Sequence, residues 1–384
     1  MKKYDFIIAG GGMAGLSLAY YLTQSTLRDR SILILDRDTK DRNDRTWCFW
    51  EPNAGPFESI VFRKWDQVSF HGTTHAKPLD MGGYQYKMLR GIDFYDFIQK
   101  ELAKHPTVER KQATINRIKE TPQGGFVIAD DEPYIADYVF DSTFALKLDQ
   151  PENHNLLQHF KGWVISTEKA CFDPKMPEIM DFRVEQHGDC RFLYVLPFDE
   201  KTALVEFTLF NDKLLTDSEY EADLRQYIDQ FLDTGSYQIA ETEYGVIPMS
   251  DESTQENPTE HIIRIGTSGG FTKPSTGYTF QRTQRYLQGI VTNLAETGKP
   301  NRTQSWFKGR FKLYDSIFLN VLEKHRYPAD DMFTRLYTDN RPAKVFKFLD
   351  EDTRLTEELR IFWNMPWGPF TVAFFDVLRR KMFG

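Results

Sequence analysis

Cysteine is nearly absent: Cys48, Cys171 and Cys190 are scattered and odd in number. They form neither a disulfide framework nor a metal knuckle, and they fit a reducing compartment. His71 and His75 have no companions at ligand spacing, so no metal site is expected. No run of about 18 uncharged apolar residues occurs, which excludes a spanning helix. A basic stripe is also missing, and the formal charge of −8 argues against a nucleic-acid partner. The first residues enter an apolar run at once, leaving no room for a signal peptide. A protein in the cytoplasm, or on the cytoplasmic face of a membrane, is expected. Aromatic residues are abundant, at 15% of the chain with 31 Phe, 18 Tyr and 7 Trp. Such a stock suits a large apolar cavity, although ordinary cores also use Phe heavily. The 384 residues are enough for one very large domain or for two to three packed ones.

The N-terminus carries the most specific local pattern. Tyr4 to Ala9 reads as a buried strand, Gly10-Gly11-Gly12-Met13-Ala14-Gly15 as G-x-G-x-x-G, and Leu16 to Leu22 as a helix. Ser31 to Leu35 reads as a second strand ending at Asp36, roughly 20 residues past the last glycine. Gly10 permits a tight turn, Gly12 lets backbone approach a pyrophosphate, and Gly15 lets helix pack on strand. The free N–H groups from Met13 and Ala14 onward face the phosphates, and Asp36 can accept bonds from a ribose. Strand, turn, helix, strand and acid in this order predict a dinucleotide site.

Further along, Ile92 to Ile98 has helical spacing, and 107–120, 125–129 and 134–141 read as short strands. Segments 180–187, 190–197 and 202–210 alternate or run apolar as strands of an antiparallel sheet. Ile262 to Gly266 reads as a strand returning to the nucleotide domain, and from Ser305 the chain reads as mostly helical. The expected fold class is α/β, α+β overall. A Rossmann-like nucleotide domain is assembled from 1–60, 92–145 and 262–300. An inserted antiparallel β-sheet substrate domain takes 61–91 and 146–261, and 301–384 forms a helical C-terminal region.

A second glycine cluster, Gly266-Thr267-Ser268-Gly269-Gly270-Phe271, precedes Lys273-Pro274-Ser275-Thr276-Gly277-Tyr278 and a long helical stretch. Its small residues would let backbone N–H groups face a flat polar ring or its phosphate tail. The two-ended arrangement resembles the flavoprotein fold of para-hydroxybenzoate hydroxylase and geranylgeranyl reductase. That family usually has an acid on the ribityl chain where this sequence has Thr267.

The resemblance narrows with three ordered matches. Asn43-Asp44-Arg45-Thr46-Trp47-Cys48-Phe49-Trp50-Glu51 is similar to the H-T-W-S-F segment of bacterial lycopene β-cyclases. Gly269 to Tyr278 resembles their A-G-x-x-H-P-T-T-G-Y, with Lys273 at the histidine, and that pattern also lacks the usual acid. Leu204-Val205-Glu206-Phe207-Thr208 resembles their L-[IV]-E-x-T, whose glutamate is the family's catalytic acid. The matches run from residue 4 to about residue 285. The resemblance implies FAD, active in its reduced form, with NAD(P)H as reductant and lycopene or related linear carotenoids as substrate. It also implies Gly10, Gly12, Met13, Ala14, Gly15, Asp36, Gly269, Gly270 and Phe271 as cofactor-binding residues. Arg45 and Arg90 lie where related flavoproteins set arginines against cofactor phosphates; a solvated arginine is the equal alternative for each.

Strand alternation over Thr202–Phe210 puts Glu206 on one face with Leu204 and Thr208, and Val205 and Phe207 on the other. Read from pattern alone, Glu206 is a surface glutamate on the open face of a sheet. Read through the resemblance, it is a buried acid whose pKa rises among apolar neighbours, so that it can protonate an alkene. Trp47, Phe49, Trp50, Phe207 and Tyr278 are candidates to face a carbocation, each equally able to be plain core. Asp141 reads as a turn acid or as a neighbour of the adenosine half. Residues 361–378, rich in Trp and Phe and followed by Arg379-Arg380-Lys381, read as an interfacial anchor or as a helix closing over the core. Three activities stay open on residues alone: a cyclase without net redox change, a redox flavoenzyme, and a non-catalytic isoprenoid carrier.

Overall fold

A computed structural model describes residues 2–72, 75–148, 150–252, 254, 257–301 and 309–383. The first sheet contains β1 (Lys2–Ala9), β2 (Ile32–Asp36), β8 (Val108–Gln112), β9 (Ile115–Thr121), β10 (Gly124–Ala129), β11 (Glu132–Asp141) and β17 (Ile262–Arg264). Its parallel part runs β8-β2-β1-β11-β17, the order of a doubly wound nucleotide fold. The β9-β10-β11 portion is an antiparallel meander. Ile7, Ile8, Ile32 and Leu33 are fully buried, as strands covered on both faces require. Helix α1 (Met13–Thr23) buries nearly every side of itself between this sheet, α2 (Gly91–Leu102) and α4 (Phe280–Thr297).

The second sheet runs β16 (Tyr237–Ser250), β12 (Asn155–Thr167), β15 (Thr202–Asn211), β14 (Cys190–Pro197), β13 (Glu178–Asp181), β5 (Gln67–His71), β6 (Ala76–Asp80). All its pairings are antiparallel except β13 with β5. The strand expected over 180–187 covers only Glu178–Asp181; beyond it Gln186 bonds the backbone of Val184 and Arg191 and closes a turn instead. A small third sheet, β3 (Thr46–Glu51), β7 (Gln85–Arg90) and β4 (Arg63–Trp65), is drawn from chain on either side of β5 and β6.

Both faces of the second sheet are covered. Helix α3 (Asp217–Phe231), started by a Thr216/Glu219 capping box, packs Tyr220, Leu224 and Ile228 against Trp163, Val205 and Phe207. On the other face, Phe192, Leu204 and Phe210 join a core with the third sheet and the C-terminal helices. Those helices are α5 (Gly309–Glu323), α6 (Ala329–Thr338), α7 (Pro342–Leu349), α8 (Leu355–Trp363) and α9 (Trp367–Phe383). The helical reading of the tail holds for residues 309–383, and its onset at Ser305 lies outside the described residues.

Candidate active site

Each motif glycine has a separate physical reason. Gly10 has φ of +100°, and a Cβ there would stand 2.2 Å from Ser142 Oγ. A Cβ on Gly15 would stand 2.0 Å from the Gly10 carbonyl oxygen, because helix α1 is seated directly on the turn. A Cβ on Gly12 meets nothing within 4 Å, so packing does not require a glycine there. No side chain caps the α1 N-terminus, which leaves Met13 and Ala14 in its positively polarised first turn. Asp36 accepts the Gly11 N–H through one oxygen and the Asp38 N–H, at 2.7 Å, through the other. These groups together fit a dinucleotide.

The second glycine cluster comes to the same place. Gly266, at φ +66°, approaches Ala14 so closely that an added Cβ would stand 3.0 Å from the Ala14 Cβ. Gly269 closes on the Arg264 carbonyl, and Gly270 ends the turn at φ +74°. Phe271, expected at the cofactor, is buried, with its ring 4.9 Å from that of Tyr286. Lys273 is buried as well, its ammonium 2.8 Å from Asp315 and 3.2 Å from Glu351. Asp141 accepts the Thr143 N–H and hydroxyl at 2.8 and 2.6 Å, as a turn acid does. Arg90 is held in a two-pronged bond to Asp93, at 2.7 and 2.9 Å, and lies over the Phe62 ring. Arg45 is more than half exposed, 3.4 Å from Asp44.

Glu206 is buried, not on an open sheet face. Its Oε1 accepts the Thr208 hydroxyl at 2.9 Å. Burial first, and then the charge and hydrogen bond of Glu243, push its pKa well above the usual carboxyl range. A cavity of about 100 Å³ surrounds it, lined by Trp47, Cys48, Phe160, Tyr194, Glu243 and Tyr278 among others. Burial drives the Tyr278 phenol up to about 12, and its hydroxyl lies 3.3 Å from that of Tyr86. The Gln158 Oε1, on the wall of this cavity, is buried without a partner among the described residues. Gly277 lies opposite it at φ +71°, a conformation that strains any other residue.

Tyr194, Thr276 and Tyr278 also line a much larger cavity of about 500 Å³. Its walls are overwhelmingly apolar, with Phe192, Phe210, Phe318, Phe333, Phe348 and Phe362 from the sheet and the C-terminal helices. Trp367, Phe370, Phe374 and Phe375 also belong to its lining. Trp367 is 58% and Phe375 63% exposed, beside Trp363 at 73%. A large apolar cavity whose lining includes exposed aromatics thus adjoins, at Tyr194, Thr276 and Tyr278, the smaller cavity of a buried acid.

Of the aromatic candidates, Trp47 and Tyr278 line the acid's cavity, and Trp50 packs edge-on against Tyr278 at 4.5 Å. Phe49 stacks on Phe280 at 4.6 Å in the nucleotide-side core. Phe207 is on the α3 face, turned away from the acid by the strand's own alternation. Sequence reasoning missed Glu243, Gly162 and Tyr194, which reach the acid only through strand pairing. It also found no companions for His71. The fold gathers His71, Glu178 and Asp181 within 4.8 Å, but Arg183 and Tyr227 already occupy Asp181.

The family described as "Lycopene cyclase protein" matches residues 5–374. A protein of Paracoccus sp. named lycopene beta-cyclase is 26% identical over 95% of this chain and 88% of its own length. One of Pseudescherichia vulneris with the same name is 22% identical, over 96% of both. Among solved structures, a geranylgeranyl bacteriochlorophyll reductase-like protein of Thermoplasma acidophilum superposes with a TM-score of 0.69 at 13% identity. That likeness covers 98% of this chain and 100% of the other. The reductase-like fold expected from the sequence is the observed one.

Proposed function

The chain belongs to the lycopene cyclase family, and from that premise we propose that it is a lycopene β-cyclase, an isomerase that closes linear ψ-ends to β-ionone rings. The observation that carries this reading is Glu206, a buried carboxyl whose pKa burial raises, in a cavity that adjoins a large apolar one. The Glu206 hydroxyl delivers its proton to C2 of the terminal C1=C2 bond, leaving a tertiary cation at C1. The C5=C6 bond attacks C1, the new ring carries its charge at C5, and loss of the C6 proton forms the ring double bond. One proton enters and one leaves, so no net oxidation occurs.

The chain's residues orient the acid and exclude water. Thr208 fixes one carboxyl oxygen, and the rings of Trp47 and Tyr278 offer faces to the cation, each worth about 0.5–2 kcal/mol. FAD fits the glycine cradle: Gly10, Gly12, Met13, Ala14, Gly15 and Asp36 would hold its nucleotide half, and Gly269 and Gly270 would approach from the second loop. Bound and reduced, with NAD(P)H as the reductant, it would supply a fixed negative charge that favours the cationic transition state. Arg45 remains free to swing toward its phosphates, whereas Arg90 would first have to leave Asp93. The exposed aromatic surface beside the cavity mouth would rest on the cytoplasmic face of a membrane and take up lycopene there. Among the described residues no helix is long and apolar enough to cross a membrane.

The test is anaerobic incubation of lycopene with the protein and pre-reduced FAD, followed by pigment separation. γ- and β-Carotene should form without stoichiometric NAD(P)H consumption, and Glu206→Gln should lower the rate by about 10²–10⁴-fold. Consumption matched to product would make the protein a redox enzyme, and unchanged bound lycopene would make it a carrier.

A further inference from the structure

Strand β12 lies between β15 and β16, and one of its residues, Gly162, is paired with Glu206 on one side and with Glu243 on the other. Residues on strands two apart in a sheet have backbones roughly 10 Å apart, and the side chain between them normally keeps them separate. Gly162 has none. A Cβ at that position would stand 3.1 Å from Glu243 Cγ and 3.3 Å from Glu206 Cβ, so both side chains lean over the bare glycine. Their carboxyls meet and hydrogen-bond there. The two ends are held differently. Glu206 is buried and takes the Thr208 hydroxyl, whereas Glu243 is partly exposed and takes the Thr46 hydroxyl at 2.8 Å.

A glutamate on strand β16 is ordinarily a solvated one, and its neighbours Glu241, Thr242 and Tyr244 are exposed. Glu243 differs because it points into the acid's cavity with Ile247. Two carboxyls in contact cannot both ionise without strong repulsion.

We propose that Glu243 is a positioning residue for the acid, sharing one proton with Glu206 across Gly162 and keeping it on the buried partner between turnovers. The inference rests on the cyclase reading of the same site. When Glu206 gives its proton to C2, its O–H bond breaks and a C–H bond forms, and the pair is left doubly negative beside the cation. Breaking the C6–H bond returns one proton to the pair, which restores the starting state. Repulsion between the two carboxylates favours that return.

The test uses the FAD-loaded protein. The infrared band of a protonated carboxyl is titrated without substrate and assigned to Glu206 by its loss in Glu206→Gln. In Glu243→Gln its midpoint should fall by about one pH unit or more, because the neighbouring negative charge is gone. Glu243→Asp, which keeps the charge, should restore most of the shift, and Glu243→Ala, which also removes the charge, serves if the Gln variant folds poorly. The alkaline limb of kcat for lycopene should move down in pH in parallel, with KM unchanged. A Glu206 midpoint that is the same in wild type and in folded Glu243→Gln overturns the pairing, even if cyclisation proceeds. A shifted midpoint in a protein that makes no cyclic product keeps the pair and removes the cyclase reading.

Discussion

Among single residues, the glycines of the first turn separate folding from binding. Gly12 has ordinary backbone angles and open space where a side chain would go. Gly12→Val should therefore fold with an unchanged Tm yet bind FAD far more weakly, which calorimetry and flavin fluorescence would show together. Gly10→Ala should behave oppositely, losing about 1–3 kcal/mol of stability from its positive φ and its clash with Ser142. Equal FAD affinity in wild type and Gly12→Val would displace the cofactor from this turn. Glu206 carries a stability cost. Its pKa is raised in the fold, so the folded form stays protonated while the unfolded form ionises above its ordinary value. Folding is thus penalised increasingly as pH rises from about 4 through neutrality. Glu206→Gln should be more stable than wild type at pH 7, with the gain vanishing below pH 4 in thermal melts. No gain at pH 7 would mean that the carboxyl is ionised in the fold.

At the level of elements, α8 and α9 serve as core and as surface at once. Ile361, Met365, Ala373 and Val377 are buried, while Leu359, Trp363, Trp367, Val372 and Phe375 are exposed. The two sequence readings of this segment, an anchor and a closing helix, are thus compatible as opposite faces of one helix pair. The basic end is partly committed inward: Arg380 lies 3.5 Å from the nearly buried Asp251, and Lys381 donates to Ser316. Deleting residues 361–384 would strip the core, so attachment is better tested at the surface. Trp363→Ser with Phe375→Ser should leave the unfolding free energy within about 1 kcal/mol of wild type and sharply reduce co-sedimentation with anionic vesicles. Undiminished co-sedimentation would place the membrane contact on another face.

For the whole molecule, a buried ion cluster ties the second glycine loop to the helical layer. Lys273 bonds Asp315 on α5 and Glu351 beyond α7, Ser275 donates to Asp315 at 2.6 Å, and Arg282 on α4 also pairs with Glu351. Burial opposes the Glu351 charge, but Lys273 and Arg282 overcome it and bring the pKa to about 2. A depressed carboxyl pKa gives stability that is present above the unfolded value and lost as pH falls through the folded one. The helical layer should therefore loosen as pH drops from about 4.5 toward 2, visible as early loss of near-ultraviolet dichroism. Lys273→Met leaves two buried carboxylates short of a partner and should cost about 3–5 kcal/mol in denaturant melts. A smaller loss, below about 1 kcal/mol, would mean that water reaches the cluster.

The sequence by itself determined the nucleotide turn, because only glycine satisfies a positive φ at Gly10 and a backbone contact at Gly15, and such local demands are written in residue order. Strand and helix periodicity likewise marked β1, β2, α1 and the strand carrying Glu206, together with the face on which Glu206 lies. Periodicity says which residues share a face but not what covers it. Burial of Glu206 was decided by helices and a small sheet far away in the chain, and its pairing with Glu243 by a register that brings both beside Gly162. Tyr194 shows the same limit: only the pairing of β14 with β15 sets it opposite Glu206.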